Sequence, residues 1–520
     1  MTARRIFTGT SHFPTLREEG TVYVDKTALI HRMAHTDRAF FLSRPRRFGK
    51  SLLVTTMEAY FQGRRDLFEG LAIAELEKEW TEYPVLRFDM SGARYAGPAN
   101  LEVRLNVQLS QYEEIYGRKS YATEPGSRLH SLIRRAKEAH EKRNVVVLID
   151  EYDAPLLDVM TNPATFGQMR DMLRNFYSPL KESAEHLHFV FLTGITRFSQ
   201  LSIFSELNNL NTISKDDEYA DICGLTETEI RAQLRPEVEA LAEKCGVDFE
   251  AAMTLLKNMY DGYRFSEDSP NIYNPFSLLK CLQKKKLDSY WYASGTPTHL
   301  TEMLSRFTLR PEELEGFSEE LDVFDGPPEQ ADTPIPLLYQ SGYLTIKSHE
   351  GGEEYMLGFP NEEVRLGFLK GLMPYYLNAD NQENRTFIRL LTRALKEHDV
   401  DQAMRLLRSF LASIPYDAEK QDEHHYKTVF YLIFTLATAF AVRTEERSAA
   451  GRSDVVVETR DAVYVFEFKL RGTAREALAQ IDGKGYMIPY EAGGKRLYKI
   501  GASLDEELRT LKEWVVVEGA

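Results

Sequence analysis

AFFLSRPRRFGKSLLVTTMEAY, residues 39–60, opens on a five-residue apolar run, 39–43, that reads as a strand. It continues through Arg44-Pro45-Arg46-Arg47-Phe48 into Gly49-Lys50-Ser51, and residues 51–60 then carry a helical pattern. A strand that turns into a helix aims free backbone N–H groups and the positive end of the helix dipole at one spot, which suits anionic oxygens. Lys50 would reach the β- and γ-phosphates of a nucleoside triphosphate, and Ser51 would ligate Mg²⁺. Arg46, Arg47, Phe48 and Gly49 complete the loop. The usual spacing, GxxxxGK[ST], wants glycine where this chain has Arg44. The loop is therefore expected to be bulkier and more cationic than usual. Gly-Lys-Ser alone also arises in incidental turns, so the reading needs a second half.

About 100 residues later, VVVLID (145–150) is a continuous apolar run ending in adjacent acids, Asp150 and Glu151. Asp150 would hold the Mg²⁺ shell, and Glu151 would orient or deprotonate an attacking water. Two acids can also simply solvate a strand end. Residues 84–90 and 189–194 are further strand candidates, and 101–116 and 126–139 read as helices. Continuous apolar strands separated by helices predict a parallel sheet covered on both faces. The run 189–194 would deliver Thr193, Thr196 and Arg197 to a carboxyl end. A polar residue there would sense the γ-phosphate, and Arg197 would stabilise charge, in its own subunit or across an interface.

The last 110 residues change style. Residues 421–438 read as a long helix, 455–458 and 462–469 as β-rich runs, 474–484 as a helix and 496–500 as a final strand. Residues two apart on a strand share a face, so Glu467 and Lys469 point together while Phe466 and Phe468 point to the core. With the turn centred on Arg460 and Asp461, Asp454 falls directly opposite Glu467. Both carboxylates would then share one Mg²⁺, with Lys469 positioning a nucleophilic water or neutralising developing charge. A one-residue slip would turn Asp454 to the other face, and an exposed Glu-x-Lys is commonly a salt bridge. His424 and His425 are adjacent, about 100° apart on a helix, and ill placed to share a metal. The pairs Phe40–Phe41 and Phe430–Tyr431 read as core.

The whole chain has 520 residues, which at roughly 100–200 residues per domain predicts three or four domains. A net charge of −15 excludes a protein that coats nucleic acid by bulk electrostatics. Charge is uneven: residues 1–50 carry ten Lys/Arg against four Asp/Glu, and 301–330 carry nine acids against two bases. The acidic, Pro-interrupted stretch suggests a boundary near 330, with a softer one near 225. Three scattered cysteines, Cys223, Cys245 and Cys281, fit a reducing cytoplasm rather than a disulfide framework or zinc knuckle. No signal peptide is expected. The longest nearly apolar run, fifteen residues at 428–442, is short of a membrane span.

The runs YVDKT (23–27), RPRRFGKS (44–51), LIDEYDAP (148–155) and GITRFSQLSIFSELNNL (194–210) resemble the AAA-ATPase-like family of prokaryotic proteins. So do YDGYRF (260–265), YNPFS (273–277), ASGTPT (293–298) and SGYLTI (341–346). The resemblance covers nearly the whole chain, and arginine at position 44 is usual within it. It implies a C-terminal domain of the PD-(D/E)XK nuclease superfamily. It also implies an acid on the preceding helix, here Glu423, as a further metal ligand. Gln480, Lys484 and Tyr486 match the family's QI..K.Y pattern and would contact nucleic acid. The expected fold is α/β: a P-loop NTPase parallel sheet over 1–225, and a helical region over 226–330, winged-helix-like by analogy. A linker or helical region over 331–405 and an α+β PD-(D/E)XK nuclease-like domain over 406–520 follow. The expected function is ATP·Mg²⁺ binding coupled to Mg²⁺-dependent phosphodiester hydrolysis, with DNA ahead of RNA as partner, no membrane, and room for a homo-oligomer. Two rival readings stand beside it. One is a nucleotide-dependent switch whose C-terminal domain binds nucleic acid or protein without cutting. The other is an ATPase whose second domain scaffolds an oligomer.

Overall fold

The computed structural model describes residues 5–197, 210–291, 310–349, 354–377, 381–413, 423–437, 442–448, 451–459, 461–469, 471–505 and 510–519, with Phe307 and Gly351. The chain forms two compact units. The first holds residues 1–309 and 316–365, the second 310–315 and 366–520. This division differs from the boundaries expected near 225 and 330. Leu225 bridges Tyr273, and the Arg264 amide donates to Thr345 Oγ1 at 2.8 Å. These pairings bind the helical stretch and the segment beyond 330 into the first unit.

In the first unit, five strands form one parallel sheet: β1 (Ala39–Ser43), β2 (Val85–Asp89), β3 (Val145–Asp150), β4 (Leu187–Gly194) and β5 (Asn211–Thr212). Their order is β2-β3-β4-β1-β5. All six residues of β3 are buried, as a strand between two helical layers must be. Helices Lys50–Phe61 and Pro125–Ala139 both pack on it. Phe40 and Phe41 are core residues, as their pairing predicts. The register aligns Ser43 with Gly194 and Asp89 with Asp150, so the carboxyl ends of the strands come level. Ligands of open α/β sheets sit at that edge.

Four helices follow: Glu227–Gln233, Arg235–Cys245, Phe249–Tyr260 and Pro275–Lys284. Sequence cues start them. Thr226 and Glu229 form a capping box on the first, and Asp248 and Asn274 accept backbone N–H groups at the N-termini of Phe249–Tyr260 and Pro275–Lys284. Leu234, Val238, Leu256 and Leu278 meet in a common core. The sequence reading missed what comes next. Strands β6 (Phe317–Glu320), β7 (Thr345–His349) and β8 (Glu354–Gly358) form an antiparallel sheet in the order β6-β8-β7. Its strands are four or five residues long, and Phe317–Glu320 alternates half-buried with exposed, which leaves a weak periodic signal.

The second unit contains β9 (Val442–Ser448), β10 (Gly451–Glu458), β11 (Ala462–Lys469), β12 (Arg496–Asp505) and β13 (Thr510–Glu518), ordered β13-β12-β11-β10-β9. β11 and β12 are parallel and every other pairing is antiparallel, so the sheet is mixed. Helix Glu423–Ala437 covers one face, with Phe430 stacked on Phe468 at 4.0 Å and Phe434 against Phe466 at 4.6 Å. Phe430 and Tyr431 are buried. Helix Ala474–Gly483 connects β11 to β12. A Cβ on Gly501 would lie 2.3 Å from the Ala474 carbonyl oxygen, so glycine at this position lets the helix sit directly on β12. Among the described residues no helix is long and apolar enough to cross a membrane.

Candidate active sites

In the first unit, Gly49 precedes helix Lys50–Phe61 with φ 93°, a left-handed conformation that glycine adopts without steric cost. The turn brings Lys50 under the loop. Its side chain is buried, and Nζ donates to the carbonyls of Arg44 at 3.0 Å and Pro45 at 3.2 Å. Nζ also lies 3.2 Å from Glu151 Oε1. Glu151 has φ 52°, unusual for a residue with a side chain, directly after β3. The strand end thus turns sharply where its carboxylate meets Lys50.

Asp150, the last residue of β3, is buried beside Ser51. Burial and the neighbouring Glu151 push its carboxyl up to about 7. Asp150 Oδ1 is buried with no hydrogen-bond partner among the described residues. An orphaned carboxylate oxygen next to a serine hydroxyl fits a hard divalent cation. Lys50, Ser51, Gly49 and Glu151 line a cavity of about 680 Å³. Phe7, Val22, Phe276 and Leu279 add an apolar wall, which suits a base next to a phosphate cradle.

Arg44 corrects the expectation of a more cationic loop. Its guanidinium is buried and does not line the cavity. It donates to the carbonyls of Ser43, Ser214, Tyr219 and Ala220, and stacks over Phe265 at 4.1 Å. Burial lowers its basicity to about 10. Arg46 and Phe48 line the cavity: the Arg46 carbonyl accepts Trp291 Nε1 at 3.1 Å, and Phe48 sits edge-on to Tyr263 at 4.7 Å. Arg47 is exposed and stacks over Phe276 at 4.7 Å. Its φ of 67° explains how a chain lacking the first glycine still turns tightly.

The structure does not bring Arg197 into this group. Its guanidinium pairs with Asp325 at 2.8 Å, and its amide donates to Gln340. Thr193 donates to the Leu42 carbonyl and Thr196 to Asp153. Both hydroxyls are thus engaged in holding strand ends. Asp153, which sequence reading passed over, accepts from the Ile195 and Thr196 amides and the Thr196 hydroxyl. Trp291 was also missed. It lines the cavity, packs on Tyr343 at 5.0 Å and is held by Glu363, whose carboxylate accepts the Trp291 amide at 2.7 Å. An isolated tryptophan carries no spacing signal. The runs 260–265, 273–277 and 341–346 all converge on the phosphate loop, through Tyr263 and Phe265, Phe276, and Tyr343. Residues 293–298 and 198–209 lie outside the described residues.

In the second unit, the β10–β11 pairing runs Val455↔Phe466, Val456↔Val465 and Val457↔Tyr464, the expected register. Continued by one residue, it sets Asp454 opposite Glu467. The side chains of Asp454, Glu423, His424 and His425 lie outside the described residues. Glu467 is buried and accepts a hydrogen bond from Gln480 Nε2. Lys469 donates to Gln480 Oε1 and stands 3.6 Å from Glu467 Oε1. Helix Ala474–Gly483 therefore supplies the polar link between the two β11 side chains. Ser503, the β12 register partner of Lys469, is buried with Oγ lacking a hydrogen-bond partner among the described residues. Lys484 is exposed at the end of that helix. Tyr486 is not with it: the ring is buried among Val456, Val465, Ile481 and Leu497, so its role is packing. A glutamate, a glutamine and a lysine on one face supply hard oxygen donors and one cation, the set that metal-dependent attack on a phosphodiester uses.

Two outcomes follow. Arg44→Gly, which restores the usual loop glycine, should destabilise the protein by about 2–4 kcal/mol in denaturant unfolding, because four carbonyls lose their donor. It should not tighten nucleotide binding. Asp150 has a raised folded pKa, so without metal its contribution to stability is fully present below pH 3.8 and is lost as pH rises through about 7. Asp150→Asn should therefore stabilise the metal-free protein at pH 8, by roughly 1–3 kcal/mol. It should at the same time weaken Mg²⁺-dependent nucleotide binding at least about tenfold. Melting curves at pH 5 and 8 and nucleotide titrations check both.

Two family models match the chain, one in each unit. Residues 7–204 match the model of a predicted AAA-ATPase family, and residues 421–514 match that of the PD-(D/E)XK nuclease superfamily. The "Uncharacterized protein in vnfD 5'region" of Azotobacter chroococcum mcd 1 is 34% identical over 531 residues, covering 99% of each chain. A crystal structure of Cdc6p from Pyrobaculum aerophilum aligns with 68% of this chain and 92% of its own, at 11% identity and a TM-score of 0.20. The chain belongs to the AAA-ATPase-like family and carries a C-terminal domain of the PD-(D/E)XK nuclease superfamily.

Proposed function

We propose that the protein is a prokaryotic, cytoplasmic enzyme that binds ATP·Mg²⁺ in its N-terminal unit and hydrolyses phosphodiester bonds of nucleic acid, DNA ahead of RNA, with its C-terminal unit. The observation that carries the nuclease half is the buried Glu467 carboxylate joined to Lys469 through Gln480 on one face of the sheet. A burial this complete is costly for a carboxylate unless a cation or donors meet it. A cross-strand salt bridge on a solvated face needs no such burial.

Glu467 would hold a divalent ion, with Asp454 and Glu423 as further ligands. The ion, when bound, acidifies a water and stabilises charge on the phosphate. Lys469 would orient that water and offset the charge that builds on the phosphate oxygens. Gln480 bridges the Lys469 ammonium and the Glu467 carboxylate, which themselves stand 3.6 Å apart, and so fixes the orientation of both. Lys484 would take a neighbouring backbone phosphate. In the N-terminal unit, Ser51 and Asp150 would hold Mg²⁺. Lys50 would exchange two loop carbonyls for phosphate oxygens, and Glu151, freed from Lys50, would take the proton of the attacking water. ATP turnover would set when the nuclease acts, in a monomer or a homo-oligomer.

The test is cleavage of mixed single- and double-stranded DNA and RNA with Mg²⁺ or Mn²⁺, with and without ATP, beside Glu467→Ala and Lys469→Ala. Metal-dependent cutting should fall at least about 100-fold in both variants. Cutting that survives both would place the chemistry elsewhere. No cutting under any condition, with nucleotide binding intact, would mean a non-cutting switch.

A further inference from the structure

A second group of metal-ligating side chains lies outside the cavity. His31 and His35 stand four residues apart on helix Thr27–Thr36, with ring centroids 4.1 Å apart and planes tilted by 30°. Glu77 comes from the segment just after the short helix Ala72–Leu76. The ligand atoms of His31, His35 and Glu77 all lie within 4.8 Å of one another. We propose that these three side chains bind a divalent transition-metal ion, best Zn²⁺, as a His-x3-His plus carboxylate site with a fourth position open to water.

The distances favour an ion over direct pairing. His31 Nε2 is 4.0 Å and His35 Nε2 is 3.8 Å from Glu77 Oε2. Both exceed hydrogen-bond range. Tetrahedral ligands at about 2.0–2.1 Å from Zn²⁺ sit roughly 3.3 Å apart, so small rotations of the side chains close the set. Histidines at i and i+4 share a helix face, which is the spacing such sites use.

The groups behind the ligands are already arranged for this role. His35 Nδ1 lies 2.7 Å from the His31 carbonyl. A carbonyl only accepts, so Nδ1 carries a proton and Nε2, on the Glu77 side, is the nitrogen that would ligate a metal. The Glu77 side chain is only 9% exposed. The Tyr60 hydroxyl donates to its Oε2 at 2.5 Å and the Glu79 amide to its Oε1 at 2.9 Å. The carboxylate is thus locked in orientation while retaining lone pairs for a metal. The two histidines are 22% and 53% exposed, so solvent reaches the open position.

The ion would clamp helix Thr27–Thr36 to the 72–77 segment. The same two elements are joined at the other end of the helix, where Asp25 accepts from both Thr27 and the Ala72 amide. Tyr23 and Lys26, just before the helix, line the nucleotide cavity. The role assigned here is structural: it fixes the element that leads from the cavity wall into β1.

The experiment is calorimetric titration of chelator-stripped full-length protein with Zn²⁺ in excess Mg²⁺, which occupies the hard-oxygen sites. His31→Ala/His35→Ala, His35→Gln and Glu77→Gln are titrated beside it, with circular dichroism to confirm folding. Wild type should bind one more tight equivalent than the double variant, and each single variant should lose at least about tenfold in affinity. Zn²⁺ should raise the melting temperature of wild type only. Co²⁺ substitution should give the visible absorption of a four-coordinate ion, absent in His35→Gln, whose half-exposed position tolerates the change. Equal stoichiometry and affinity in wild type and the double variant, or no Zn²⁺ uptake by wild type, would overturn the proposal.

Discussion

A buried ammonium at the start of a helix organises the N-terminal unit. Lys50 Nζ sits at the positive end of helix Lys50–Phe61, where a cation is disfavoured. Two loop carbonyls and the Glu151 carboxylate offset that cost. The arrangement is self-satisfied but replaceable, since phosphate oxygens would meet the same ammonium and the same helix end with more negative charge. Much around it serves to hold this point in place. Level strand ends bring Asp150 and Glu151 to it, and Asp153 ties the end of β4 to the turn after β3.

The loop reaches its shape without the usual first glycine because its walls are aromatic and its arginines divide the labour. Arg44 turns inward onto four carbonyls and Phe265, and so becomes part of the scaffold. Arg47 takes the left-handed backbone conformation and stays at the surface. Phe48 wedges between Tyr263 and Phe265, and Trp291 hydrogen-bonds to the loop backbone. Residues more than 200 positions apart in sequence thus build one wall. In the C-terminal unit the same economy recurs on β11, where alternate residues serve opposite faces. Phe466 and Phe468 meet Phe430 and Phe434, while Glu467 and Lys469 meet Gln480.

What the sequence revealed was what local periodicity and spacing encode. The β1-to-helix turn, the acids ending β3 and the β10–β11 register were legible because each rests on contiguous residues with period two or a helix start. What it concealed depends on tertiary direction. No spacing tells whether Arg44 faces the cavity or the core, and its buried carbonyl partners come from residues 214–220. Arg197 follows a strand end, yet Asp325, far along the chain, claims it. Tyr486 matched a motif but packs into the core. The His31, His35 and Glu77 group was invisible because its third member is 42 residues beyond the helix pair. The β6-β8-β7 sheet was missed because its strands are short and flanked by acidic, Pro-rich sequence.

If the cavity around Lys50 holds a nucleotide, its walls report occupancy. Trp291 lines that cavity and is one of three tryptophans in the chain. The most direct measurement is therefore the intrinsic fluorescence of the protein titrated with ATP and Mg²⁺, compared with Trp291→Phe and Lys50→Ala. A saturable change that disappears in Trp291→Phe and shifts to at least about tenfold higher ATP in Lys50→Ala is the predicted result. A signal that persists unchanged in both variants, or no binding of ATP by wild type, would contradict the account.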